Sequence, residues 1–77
     1  MKRDVTAADL KQKASQYLKQ HYDEDTVSMD VLDNGVKDGD GVLHVDCTVS
    51  VDGTKSRWTK WFTFEDGKIT DLRARMR

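Results

Sequence analysis

An α+β domain, in which one N-terminal helix packs on a curved four-stranded antiparallel meander, is the fold that the sequence predicts. Three observations carry it. One helical apolar stripe occupies the first third of the chain, period-two alternation takes over after Thr26, and glycine turns separate the alternating stretches. With 77 residues and no proline-rich or repetitive linker, the chain is expected to form one domain spanning 1–77, with residues 1–4 frayed.

The helix is predicted over Ala7–Tyr22. Thr6 is placed to cap it, with Asp9 three residues later as the reciprocal partner of a capping box. Val5 and Leu10 have the spacing of a hydrophobic staple. Leu10, Ala14, Tyr17 and Leu18 form one stripe, while Lys11, Lys13, Gln16, Lys19 and Gln20 hold the solvated side. Tyr17 and Tyr22 are assigned to helix–sheet packing. His21, in the last turn, complements the helix dipole.

The first strand presents Val27, Met29 and Val31 inward, the second Leu43, Val45, Cys47, Val49 and Val51. The third presents Trp58, Phe62 and Phe64, and the fourth Leu72, Ala74 and Met76. Asn34-Gly35, Asp38-Gly39-Asp40-Gly41, Asp52-Gly53 and Asp66-Gly67 supply the turns. A two-residue turn at Asp52-Gly53 pairs Cys47 with Trp58 and Leu43 with Phe62, both inward. A bulge or odd loop near Asn34-Gly35 would set Val31 opposite Cys47. For the last hairpin, a three-residue Glu65-Asp66-Gly67 loop sets Phe62 opposite Thr70 and Trp61 opposite Asp71, and turns Ile69 outward.

One helix followed by a long-stranded meander resembles the cystatin-like and NTF2-like small α+β domains. The stretch Phe62-Thr63-Phe64-Glu65-Asp66-Gly67-Lys68-Ile69 is similar to the aromatic-strand hairpin that ends many NTF2-like chains. The chain lacks the extra N-terminal helices of the NTF2-like cone and the QxVxG-like loop of cystatins, so the resemblance implies a fold and carries over no functional residue.

Composition narrows the function classes. Formal charge is −1, and residues 1–40 carry six Lys/Arg against nine Asp/Glu while residues 41–77 carry seven against five. That polarity falls short of a dedicated nucleic-acid footprint. The single cysteine, Cys47, excludes an internal disulfide and points to a reducing, cytoplasmic setting. No run has the length and apolarity of a membrane span, so no membrane association is expected. Asp23-Glu24-Asp25 and the Asp38–Gly41 turn lack the ligand spacing of a calcium loop and read as solvated turns. No metal or cofactor is implied.

The sheet face away from the helix should present His44, Asp46, Thr48 and Ser50, then Arg57, Thr59, Trp61 and Thr63, then Asp71, Arg73 and Arg75. Trp61 is the singular residue there, because an aromatic ring flanked by arginines can anchor a protein partner. The competing structural role is cross-strand cover. His44 and Asp46 are neighbours on one strand face but lack a nucleophile or pocket to complete an active site. The leading expectation is a non-enzymatic protein-interaction domain, homodimeric or with another protein partner, that uses Trp61, His44, Arg57, Arg73 and Arg75. The first alternative is a nucleic-acid binder built on Trp61, Arg57, Arg73 and Arg75. The second is an isolated or designed scaffold without a partner, against which the inward Cys47, Met29, Met76 and Lys60 count as irregularities.

Overall fold

The computed structural model describes residues 7–77, so the Thr6 cap, the Val5 staple and the fraying of residues 1–4 lie outside the described residues. Helix α1 spans Ala7–Tyr22. The strands are β1 (Asp25–Asn34), β2 (Gly41–Val51), β3 (Thr54–Glu65) and β4 (Lys68–Met76), each antiparallel to the next in the order β1-β2-β3-β4. The core is the face between helix and sheet, where Leu10, Ala14 and Leu18 of α1 meet Met29, Leu43, Val45, Cys47, Val49, Phe62 and Phe64. Tyr17 packs edge-on against Phe62 at 6.5 Å between ring centroids. Tyr22, expected in the same packing, is exposed because it ends the helix beyond the last buried turn.

The chain leaves α1 through Asp23, whose φ of 56° is left-handed. Aspartate tolerates that region better than most residues. There, the Asp23 and Glu24 amides donate to the carbonyls of Lys19 and Leu18, closing the last turn. This reversal sends Glu24 back under the sheet.

The parity of the central hairpin is as expected. Cys47 pairs with Trp58, Leu43 with Phe62 and His44 with Trp61, across a turn in which Asp52 and Gly53 both have positive φ. Those signs define the turn whose twist matches flanking strands.

The outer hairpins differ from expectation. Val31 lies opposite Val45, and Met29 takes the place opposite Cys47, because β1 carries extra residues at Val27 and Leu32. Val27 is therefore 52% exposed instead of inward. The last hairpin uses a two-residue Asp66-Gly67 turn, with Glu65 paired to Lys68. Its bulge falls inside β4, between Ile69 and Asp71. Phe62 consequently faces Leu72 rather than Thr70, Trp61 faces Arg73 rather than Asp71, and Ile69 turns in against the core. Met76 and Ala74 keep inward rows, opposite Trp58 and Lys60, but both are exposed, Met76 at 63%, on the outermost strand.

At the opposite end, the loop between β1 and β2 folds into its own small hairpin at Lys37–Asp40 and docks on the β3–β4 turn. Gly67 N–H donates to Gly39 O at 2.9 Å, Asp66 N–H donates to Asp40 Oδ1 at 2.9 Å, and Lys13 Nζ donates to Gly67 O at 2.8 Å. A Cβ on Gly39 would lie 2.7 Å from Gly67 N, so only glycine permits this approach.

Candidate functional site

Residues directly opposite each other in an antiparallel pair share a face, so the pairings define rows across the outer surface of the sheet. One row runs Asp33, His44, Trp61, Arg73 from β1 to β4. The next runs Asp30, Asp46, Thr59, Arg75. Four of the five expected members, Trp61, His44, Arg73 and Arg75, therefore lie together, and the fifth, Arg57, joins them one row further, opposite Thr48. The bulge in β4 brings Arg73, instead of Asp71, beside Trp61.

Trp61 and His44 stack with ring centroids 4.8 Å apart and planes 10° apart. The His44 Nε2 is buried and has no hydrogen-bond partner, so the imidazole contributes a flat ring to the surface more than a polar contact. Beside the stack lies an open groove of about 470 Å³, lined by Val42, Trp61, Thr63, Asp71 and Arg73. Val42, 42% exposed, supplies an apolar wall. An aromatic and an aliphatic side chain are thus ringed by the charged Asp71 and Arg73.

Asp46 is engaged inside the face. Thr59 Oγ1 donates to its Oδ1 at 2.9 Å, and the Arg77 guanidinium pairs with its Oδ2, which ties the chain end across the sheet. Arg77, and then Thr59, hold the Asp46 carboxyl below its ordinary range by hydrogen bonding to the charged form. Both oxygens have partners other than the imidazole, so His44 and Asp46 are neighbours without forming an acid–base pair. The cleft between Ser28, Asp30, Asp46, Arg57 and Arg77 encloses about 70 Å³, room for a few waters only.

A second constellation lies on the opposite face. Lys60 is 2% exposed, points toward α1, and donates from Nζ to Glu24 Oε1 at 2.7 Å. Its ammonium also sits 5.4 Å from the centroid of Trp58, whose indole N–H donates to Ser56 Oγ. The sequence carried a usable sign of this pair: an inward lysine by strand parity, and a carboxylate run directly after the helix. Cys47 shares this interior, where burial pushes its thiol up and away from the thiolate. Among the described residues no cluster of His, Cys, Asp and Glu is placed to hold a metal ion, and no helix is long and apolar enough to cross a membrane.

No family model, curated protein or solved structure matches this chain.

Proposed function

We propose that the chain is a non-enzymatic interaction module that engages a protein partner through the outer sheet face, with Trp61 as its anchor. The observation that carries this reading is the Trp61 ring, half-buried on His44 and bordering the open groove with Val42 and Arg73. A tryptophan at the centre of a surface, with weaker polar contacts around it, is a common composition of a binding hot spot. Arg57, Arg73 and Arg75 serve the rim.

The same arginines are available to a nucleic-acid strand. Four carboxylates on that face, Asp30, Asp33, Asp46 and Asp71, weigh against it by repelling phosphates. Salt-sensitive retention of a single-stranded oligonucleotide, lost on neutralising Arg73 and Arg75, would favour the strand over the protein.

Trp61→Ala, studied by urea unfolding at low micromolar protein, separates recognition from fold maintenance. A recognition role predicts a stability loss below about 1 kcal/mol, the scale of one cross-strand pair. Phe62→Ala from the core should lose about 3–5 kcal/mol. A Trp61→Ala loss as large as that of Phe62→Ala would make the ring a structural cover and end the proposal.

A further inference from the structure

We infer that the partner of this face is a second copy of the chain, docked about a two-fold axis parallel to the strands and lying between β2 and β3. Each copy then sets Asp30 and Asp33 against Arg75 and Arg73 of the other. The inference rests on the interaction reading above and names its partner.

Each of the two central rows begins with an aspartate on β1 and ends with an arginine on β4: Asp33 to Arg73, and Asp30 to Arg75. Row ends are three strand spacings apart, about 14 Å, too far to pair within one chain. Among the described residues no ion pair engages Asp30, Asp33, Arg73 or Arg75, whereas Asp46 and Arg77 satisfy each other. These two rows thus offer two acidic groups along one edge and two basic groups along the other, while Asp71, also on β4, lies beyond them opposite Thr63.

Rotation by 180° about an axis parallel to the strands reverses every row left to right while keeping its height. The acidic end of each row then lies over the basic end of the same row in the other copy, at both edges at once. In the middle, Trp61 of each copy meets the other copy's His44, so the aromatic pair becomes a four-ring cluster on the axis. The other two-fold that brings the same faces together, perpendicular to the strands, would set β1 over β1 and aspartate over aspartate. Charge alone selects the first.

Size is adequate. Four strands at about 4.8 Å and eleven residues at about 3.4 Å give a face of about 19 by 37 Å, or roughly 700 Å² before side-chain relief is added. Specific interfaces cover about 800 Å² on each partner. Facing sheets pack about 30° from parallel, so the rows nearest the axis stay in register and the long arginine stems span the offset at the edges.

Sedimentation equilibrium on the full chain tests this with two exposed-site variants, D30R/D33R and R73D/R75D. Wild type should be a dimer whose Kd rises with salt, and each variant alone should weaken at least about 30-fold, since like charges then face each other at both edges. An equimolar mixture should recover a heterodimer, because every facing pair is opposite in sign again. The inference is overturned if wild type stays at 8.8 kDa up to millimolar concentration, if the variants associate unchanged, if the mixture stays monomeric, or if species grow beyond dimers. A monomeric wild type whose Trp61→Ala variant remains stable rejects the second copy alone. A Trp61→Ala variant as unstable as Phe62→Ala rejects the interaction face itself.

Discussion

Lys60 is an ammonium placed where an aliphatic side chain would ordinarily sit, in an inward row between Val45 and Ala74. Only 3% of its side chain is exposed and 16% of that of Glu24, so each neutralises a charge the solvent cannot reach. Such pairs add little net stability, but breaking one strands the other. Glu24→Gln should therefore cost about 3 kcal/mol in urea unfolding, and Lys60→Met in the Glu24→Gln background should recover most of it; additive losses would show that the two side chains act independently. Asp46 offers a second test. Its folded-state pKa lies below the ordinary 3.8, first because of Arg77 and then Thr59. The stabilisation is thus complete above the ordinary aspartate range and is lost as pH falls through the folded value. A carboxyl titration followed by NMR should give Asp46 a midpoint below 3.8, moving up toward it in Arg77→Ala. An unchanged midpoint would remove Arg77 as the cause.

Turns and bulges decide what the strands present. Strand parity was legible in the sequence because burial enforces it: a one-residue slip would send Phe62 and Leu43 into water, so alternation fixes their faces. The need for a bulge in each outer hairpin was legible, but not its position. Sliding a strand by two residues preserves every face, and both expected registers erred by that amount, Val31 by two places on β2 and Phe62 by two on β4. Nothing in the side chains of Val27, Leu32 or Thr70 marks them as extra residues. The Asp-Gly turns were legible as turns, though Asp66-Gly67 closes more tightly than the strand pattern suggested. Glycine positions differ sharply in what they tolerate. A Cβ on Gly41, whose φ is 135°, would lie 2.0 Å from the Gly35 carbonyl oxygen, whereas a Cβ on Gly53 meets nothing within 4 Å. Gly41→Ala should thus lower the thermal midpoint far more than Gly53→Ala, which carries only a left-handed penalty of about 1–2 kcal/mol. Equal effects would mean that the close approach at Gly35 relaxes freely.

At the scale of the molecule, a helix of 16 residues, about 24 Å long, covers only part of a sheet whose long dimension approaches the 42 Å extent of the domain. The helix side is committed to the core and to the Lys60–Glu24 pair, so the proposed contact falls on the outer face. Its members could be named from alternation alone, including Trp61, His44, Arg57, Arg73 and Arg75, but their order in rows could not. The placement of Arg73 beside Trp61 depends on the bulge in β4, and the alignment of Asp33 with His44 depends on the bulge at Leu32. The two tryptophans make that face directly observable, since Trp58 looks toward the helix with its indole bonded to Ser56 while Trp61 looks away. An NMR dilution series from millimolar to micromolar should move the Trp61 indole and the amides of His44, Asp30 and Arg73 while the Trp58 indole and α1 stay fixed. Spectra that stay those of a monomer throughout would contradict the second copy, and shifts on α1 with a silent Trp61 would contradict the outer face as the contact surface.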